Sequence, residues 1–432
     1  MKTFLIHTLG CKVNAFESEY YRQQLLEAGY QEGLPKEQTD VVIINTCTVT
    51  NTASFKSRQK IAQAKRTNPN AFVVVVGCYV QTHHAYLKDK YDIDLLVGAR
   101  DKDRLVEMIE SKHMQTDFAY PKTFENLPIQ SFKHQKKAYV KIQDGCNQFC
   151  TYCIIPFARG RERSMHMDSI IDQIKRLDQH QEISLTGIHT GRYGLDIGVN
   201  LVTLLKRILN ETAVPRIRIS SIEITEVSDE IIDLLKNEPR LAKHLHIPIQ
   251  AASQNVLEDM HRPYTLQEFI DRLNHIRESV PSCLISTDLI VGFPTETKEQ
   301  FETSLKMIET MQFSFLHVFP YSKREGTLAA NYNTEWSNEI KKERVHQAQL
   351  LSDQLHRRTM QRYVGHTIEV LIEEEQTEMS FGYSGEYLPV LVKDVRDLLN
   401  HRVLCRVIDV KNDHMIAESV IDRKSVVYGK NL

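Results

Sequence analysis

A surplus of charge of either sign is missing from this chain. Its 432 residues carry 54 Lys and Arg against 56 Asp and Glu, so the total makes no case for a polyanionic ligand, and any contact with RNA has to come from local patches. Long apolar runs are missing too: no segment approaches the roughly 18 residues that a membrane-crossing helix needs. FLIHTLGC, ending at Cys11, looks like a lipoprotein cleavage site, but its apolar part, FLI, is too short for a signal peptide and reads as a buried strand. The expectation is a soluble, cytoplasmic protein with no membrane partner. A disulfide framework is also absent. The eight cysteines stand at irregular intervals in a long chain, a usage that fits metal binding or catalysis in a reducing compartment.

What the chain does contain is DGCNQFCTYC, which places Cys146, Cys150 and Cys153 in a Cys-x-x-x-Cys-x-x-Cys spacing on a loop after the strand-like run AYVKI. Three thiolates this close hold three irons of a four-iron, four-sulfur cluster and leave the fourth iron open to an outside ligand. A structural zinc site wants four closed ligands, and no fourth Cys or His partner lies nearby, so zinc is the weaker reading. Three unrelated cysteines are the remaining alternative. Tyr152 offers an aromatic cover for a cluster or a bound adenine, or else simple packing.

A chain of this length makes two or three domains. In residues 1–115, an apolar run ending in cysteine recurs: FLIHTLGC at Cys11, VVIINTC at Cys47 and VVVVGC at Cys78, each followed by helix-like sequence. Continuous β-branched runs alternating with helices predict a doubly wound parallel α/β sheet. Ligands bind such sheets beyond the carboxyl ends of the strands, where all three cysteines stand. Each alone is more often a buried thiol; three at equivalent strand ends point to a second cluster. Asn14, Asn45 and Thr46 are placed to bond cluster sulfurs or simply to form turns.

Residues 116–136, with two prolines and no periodicity, read as a linker. Residues 137–362 then hold six apolar runs, AYVKI, EISLT, RIRIS, HLHIPI, LISTDLIVGF and FSFLHVF, separated by helical patterns. They predict an incomplete (β/α)6 barrel, open at the side, with chemistry at the carboxyl ends of its strands. Ile170, Ile171, Ile174 and Leu177 follow Asp168, which reads as an N-cap. The strand ends offer Gly187, Ser221, Glu223, Gln250 and Gly292, with Tyr152, as a cofactor-binding set, although loop glycines are often only turns and Glu223 is equally a surface carboxylate. Arg159, Arg161 and Arg163, next to the cluster loop, and Tyr321, Lys323 and Arg324, after the sixth strand, suit an anionic RNA and a stacked base; a salt-bridged loop is the alternative for the arginines. Residues 363–425 show five short strands, predicting a small antiparallel barrel in which Tyr383 and Tyr387 either stack bases or pack the barrel. Cys283 and Cys405 read as core thiols.

At the cluster loop the chain resembles the radical S-adenosylmethionine (SAM) superfamily. Taken with LGCKVN, NTC, GCY, Pro156 to Ser164, HLHIPIQ, MHRPYT, DLIVGFP and FPYSKREGT, it resembles the methylthiotransferase family over nearly its whole length: a three-cysteine amino-terminal domain, a radical-SAM barrel and a TRAM domain. Cys11-Lys12-Val13-Asn14 and NTCTVTNTASFKSRQ are most similar to the branch acting on N6-threonylcarbamoyladenosine at position 37 of tRNA. Sister branches act on isopentenyladenosine in tRNA or on an aspartate of a ribosomal protein. Ala251-Ala252 and Thr295 depart from the usual Ser-Gly and Gly. The resemblance implies two 4Fe-4S clusters and two SAM per turnover. Cys146, Cys150 and Cys153 would serve SAM cleavage to a 5′-deoxyadenosyl radical, and Cys11, Cys47 and Cys78 would carry the sulfur. It also implies the tRNA anticodon stem-loop, an electron donor and a sulfur source as partners. The C2–H bond of adenine is too weakly acidic for any side-chain base, so a carbon radical supplied by a cofactor is required. Outside the enzyme class, an iron–sulfur RNA-binding protein is the competing expectation.

Overall fold

A computed structural model describes residues 2–34, 37–112, 117–133, 136–333, 336–376, 378–393 and 396–420. The expected boundary at 115 and the expected end at 421–425 lie outside the described residues. The first sheet is parallel, in the order β2-β1-β3-β4-β5, from β1 (Thr3–Thr8), β2 (Gln31–Glu32), β3 (Val41–Thr46), β4 (Phe72–Gly77) and β5 (Leu95–Val97). Helices α1 (Lys12–Glu27), α2 (Asn51–Thr67), α3 (Cys78–Lys90) and α4 (Leu105–Ser111) alternate with these strands. Every residue of β3 is buried, as a central parallel strand covered on both faces requires; each Val or Ile so buried contributes about 1.5–3 kcal/mol.

The central unit strings β6 (Ala138–Lys141), β9 (Glu182–Thr186), β10 (Arg216–Ile219), β11 (His244–His246), β12 (Leu284–Val291) and β13 (Leu316–Pro320) in chain order, with a small ribbon of β7 (Gln143–Asp144) and β8 (Arg163–Ser164) set aside. Two trios of parallel strands are joined by single bridges, Ile217 to Leu241 and Ser221 to His246. The result is the expected incomplete six-stranded barrel, open at the side between β6 and β13. Its helices are α5 (Ile155–Arg159), α6 (Met167–Arg176), α7 (Leu201–Glu211), α8 (Asp229–Asn237), α9 (Gln254–Asp259), α10 (Leu266–Ser279), α11 (Lys298–Thr310) and α12 (Asn338–Gln361). Capping boxes at Thr265/Glu268 and Thr297/Gln300 fix where α10 and α11 begin. The N-cap of α6 is His166, not Asp168; Asp168 lies in the first turn and pairs with Arg207.

Residues 117–133 contain no helix or strand, yet they are no loose linker. Leu127, Ile129 and Phe132 are buried in the main core. Ile129 exchanges two hydrogen bonds with the Gln173 side chain on α6 (2.9 and 2.6 Å), and the Gln130 N–H donates to Gln23 on α1 (2.7 Å). The segment therefore ties the amino-terminal sheet to the barrel.

The last unit is a closed barrel, β14-β15-β16-β18-β17, from β14 (Thr367–Glu375), β15 (Met379–Ser384), β16 (Pro389–Lys393), β17 (Arg402–Lys411) and β18 (His414–Ser419). It is antiparallel except that β16 and β18 run parallel, a departure from the all-antiparallel expectation. It closes the central barrel at the amino ends of the strands: Tyr387 stacks on His244 (5.2 Å) and on Tyr383 (4.9 Å), and Arg218 lies 4.8 Å over the Tyr387 ring. Of the two readings of these tyrosines, base stacking or packing, the contacts show packing: the pair forms a plug.

At the same end Glu182 is buried between Arg216 (3.1 Å) and Arg218 (2.8 Å). Burial alone would raise its pKa, but Arg218 and Arg216 prevail and hold it below the ordinary value of 4.5. Glu182→Gln strands a buried guanidinium and is expected to cost about 3–5 kcal/mol at neutral pH. As pH falls below about 4.5, the unfolded chain binds this proton before the folded one does, so the wild type loses stability that the variant never had. Denaturant melts at several pH values should show the gap between the two narrowing in acid; a gap independent of pH would refute the pairing.

Candidate active site at the carboxyl ends of the strands

Three adjacent strands, β1, β3 and β4, deliver the first thiol trio. The register pairs Thr8 with Asn45 and Thr46 with Gly77, so the chain emerging from each strand brings Cys11, Cys47 and Cys78 to one edge, Cys47 in the middle. Gly10 holds φ +101, and a Cβ there would stand 3.0 Å from Cys47 Sγ, which shows how closely the Cys11 turn approaches Cys47. Asn14 Nδ2 donates to the carbonyls of Leu9 (2.6 Å) and Thr46 (3.0 Å), lashing the β1 and β3 turns together. Asn14 also meets a sulfur, its Oδ1 accepting from Cys11 Sγ (3.8 Å), whereas Asn45 and Thr46 bond backbone and Ser18 rather than sulfur. Cys11 and Cys78 stand at the amino ends of α1 and α3; burial raises the pKa of the Cys78 thiol against the pull of Arg159 and Lys102.

The second trio lies on the loop between β7 and α5. Gly145 holds φ +74 with Arg161 O 2.0 Å from any Cβ, so only glycine lets the chain turn into Cys146. The Gln148 N–H points at Cys146 Sγ (3.4 Å), as does His189 Nδ1 (3.5 Å), and Arg262 Nη1 donates to Cys150 Sγ (3.4 Å). Burial alone would keep His189 neutral, but its bonds to Cys146 and to Glu226 (2.7 Å) push its pKa up to about 10. Burial pushes the thiols of Cys47 and Cys153 up to about 11 and 12, so these sulfurs keep their protons until a metal takes them. Soft thiol donors in threes, with N–H groups aimed at one sulfur or more of each trio, fit a 4Fe-4S cluster at both places.

One side chain joins the two. Arg159, at the end of α5 and 1% exposed, donates through Nε to Cys78 Sγ (3.2 Å), through Nη1 to Glu17 (3.0 Å) and Asp144 (3.1 Å), and through Nη2 to Asn14 Oδ1 (2.6 Å). Lys102 and Lys141 complete the network on Glu17. Glu17 and Asp144 are held below ordinary carboxylate pKa values: burial opposes this, but Arg159 and Lys102 prevail at Glu17, and Lys141 and Arg159 at Asp144. The amino-terminal domain thus lies over the barrel from β6, through Glu17 and Lys141, to the far edge after β13. There Arg324 bonds Asn51 (2.6 Å), Thr48 (2.8 Å) and Ser54 (2.9 Å).

These contacts correct several expectations. Arg159, Arg163, Arg324 and Tyr321 are buried and are not surface contacts for RNA. Arg163 donates to the carbonyls of Arg159 and Arg161, and Tyr321 packs edge-on against Phe293. Arg161, over the Phe149 ring, and Lys323 remain exposed. Glu223 pairs with Arg262, whose guanidinium also approaches the Tyr152 hydroxyl (3.4 Å), so Glu223 aims Arg262 at Cys150. Gly187 faces Gln143. Gly292 donates its N–H to Glu296 (2.6 Å) and packs on Lys341 of α12. Ser221 and Gln250 bridge strands to His246 and Leu289. Sequence reasoning missed Glu17, Asp144, His189 and Arg262, although Asp144 opens DGCNQFCTYC and Arg262 lies inside MHRPYT.

Residues 3–98 match a family described as "Uncharacterized protein family UPF0004", and residues 140–308 match the radical SAM superfamily. The threonylcarbamoyladenosine tRNA methylthiotransferase MtaB of Bacillus subtilis (strain 168) is 40% identical over 424 residues, covering 94% of each chain. The MtaB of Aquifex aeolicus (strain VF5) is 36% identical over 87% of this chain and 94% of its own. A tRNA-2-methylthio-N(6)-dimethylallyladenosine synthase of Staphylococcus saprophyticus is 33% identical over 89% of this chain and 79% of its own. Among solved structures, the radical S-adenosylmethionine methyltransferase TsrM from Kitasatospora setae shares the fold, with a TM-score of 0.54 at 14% identity over 74% of this chain and 72% of its own.

Proposed function

Because the chain belongs to the radical-SAM methylthiotransferase family that includes the MtaB enzymes, we propose that it methylthiolates C2 of N6-threonylcarbamoyladenosine at position 37 of tRNA, using two SAM per turnover. The observation that carries this reading is the pair of thiol trios, one at the carboxyl edge of the amino-terminal sheet, where Arg159 donates to Cys78 Sγ, and one on the loop that leads into the helix ending at Arg159. When bound, the two 4Fe-4S clusters and SAM supply the electron, the carbon-centred radical and the sulfur that the C2–H bond demands.

The chain's own residues bind, orient and insulate. Cys146, Cys150 and Cys153 hold the SAM-cleaving cluster, and Cys11, Cys47 and Cys78 the sulfur-carrying one. Arg262 and Arg159 place buried positive charge on a sulfur of each trio, which stabilises anionic thiolate ligands away from water. Tyr152, half-buried beside Cys150 and Cys153, shields the cluster face. Arg161 and Lys323, exposed at the mouth, meet the phosphates of the anticodon stem-loop, whose single-stranded loop presents the base with little unstacking energy. Turnover needs an electron donor and a sulfur source, in a cytoplasmic setting; no helix of the described residues is long and apolar enough to cross a membrane.

Anaerobically reconstituted protein, given SAM, a low-potential reductant and tRNA, is expected to convert N6-threonylcarbamoyladenosine to its 2-methylthio derivative, read by mass spectrometry of the nucleosides. Product on isopentenyladenosine or on a ribosomal protein instead would move the chain to a sister branch. No 5′-deoxyadenosine under any condition would leave the RNA-binding alternative.

A further inference from the structure

Lys12 follows Cys11 directly and opens α1. Its ammonium lies 6.0 Å from the centre of the Tyr139 ring on β6, within electrostatic reach of Glu182 on β9, Arg218 on β10 and Lys137. It also acts on His244 and on His317, on β11 and β13. The side chain therefore reaches from the first thiol trio into the lumen of the central barrel.

The carboxylates of that lumen are already committed. Glu182 holds Arg216 and Arg218, Glu373 holds Lys137 (3.0 Å), Glu369 holds Arg216 and Arg402, and Asp288 holds His246 (3.1 Å). Among the described residues, none of them pairs with Lys12. The same lumen holds a half-open group of side chains, His246, Asp288 and His317, whose ligand atoms all lie within 4.8 Å of one another. That spacing would admit a divalent cation. The neighbouring charges speak against it, because Lys12 and Arg218 would stand against the incoming ion in a partly desolvated lumen. An anion meets the opposite situation.

We propose that Lys12, with the exposed imidazole of His317 across the lumen, receives the carboxylate of the threonyl arm of the substrate nucleoside and so determines which N6-modified adenosine is accepted. The inference rests on the proposed reaction and deepens it. The threonylcarbamoyl arm ends in a carboxylate, whereas an isopentenyl arm is neutral and gains nothing from an ammonium in the same place. Because Lys12 is bonded in sequence to a ligand of the sulfur-carrying trio, a carboxylate held there anchors the arm beside the sulfur. A charge pair formed away from bulk water discriminates strongly, since the neutral arm would leave the ammonium desolvated and unmatched.

The test uses the cluster-loaded protein and anticodon stem-loop RNAs in three forms: the free threonyl acid, its methyl ester and the isopentenyl analogue. Wild type is expected to bind the acid about 100-fold more tightly than the ester. Lys12→Gln should bind acid and ester alike, and Lys12→Arg should restore most of the preference, with iron content confirming that each variant is loaded. Equal affinity of the wild type for acid and ester overturns the inference without any variant, as does a Lys12→Gln protein that keeps the preference. If the threonylcarbamoyl tRNA is methylthiolated and the preference is absent, only this inference fails; if it is not methylthiolated at all, the parent reading fails.

Discussion

Replacing Cys150 by alanine is expected to stop SAM cleavage, with 5′-deoxyadenosine falling by about three orders of magnitude or more, equivalent to at least about 4 kcal/mol of barrier. The physical reason is coordination. The loop after β7 offers three thiols for three irons, and with Cys150 removed the remaining two do not retain a site-differentiated cluster. Cys150 is the buried member of its trio that receives the Arg262 guanidinium, so the substitution also leaves that charge without its sulfur. Arg262 keeps Glu223 and the Tyr152 hydroxyl, and the loop backbone keeps the bonds from Thr151 N–H to Met260 O and from Cys153 N–H to Cys150 O. The fold should therefore survive. Total iron should drop by about half, because the second trio is untouched. Circular dichroism, iron analysis and chromatography of the SAM products check the three expectations together. Undiminished 5′-deoxyadenosine would mean that the cluster is held elsewhere.

How much of this was legible beforehand depends on whether a residue's role is local. The cysteines were legible because ligand chemistry needs one residue type at a short spacing or at equivalent strand ends, and β-branched runs announce those ends. The strap at residues 117–133 was not, because Leu127, Ile129 and Phe132 are scattered among prolines and polar residues and pack on elements far away in sequence. The arginines were legible as cations and misplaced as surface. Three arginines in PFARGRERS look alike, and only the fold decides that Arg159 and Arg163 turn inward to Asp144 while Arg161 stays outside. Glu17 carried no signal at all: a carboxylate on a helix reads as solvated until β6, α5 and Lys102 close over it. The tyrosines of the last barrel stayed open between base stacking and packing for a related reason, since a stacking surface and a plug have the same composition, and their contacts decide for packing.

Replacing Cys47 by alanine separates the two halves of the reaction. Cys47 is the middle thiol of its trio, on the strand between those that deliver Cys11 and Cys78, so its loss removes the ligand that the other two flank. Its backbone is held independently of the sulfur: the Cys47 N–H donates to Ser57 Oγ (3.2 Å), and the Ser57 hydroxyl donates to the Cys47 carbonyl (3.0 Å). The cavity left by one buried sulfur costs about 1–2 kcal/mol, which a sheet of this burial tolerates. Cys78 would be a poorer choice, because its sulfur is bonded to Arg159 and its loss would disturb Glu17, Asp144 and the barrel as well. The expected outcome for Cys47→Ala is 5′-deoxyadenosine formation within about three-fold of wild type, under 0.7 kcal/mol of barrier, together with loss of the 2-methylthio nucleoside to background and of about half the iron. The contrast between the two products is what discriminates: a merely unfolded amino-terminal domain would expose the barrel mouth and depress both, whereas a lost sulfur carrier depresses one. Methylthiolation persisting in Cys47→Ala would place the sulfur on some other group and leave Cys11, exposed, and Cys47 and Cys78, buried, as ordinary thiols at the ends of three strands.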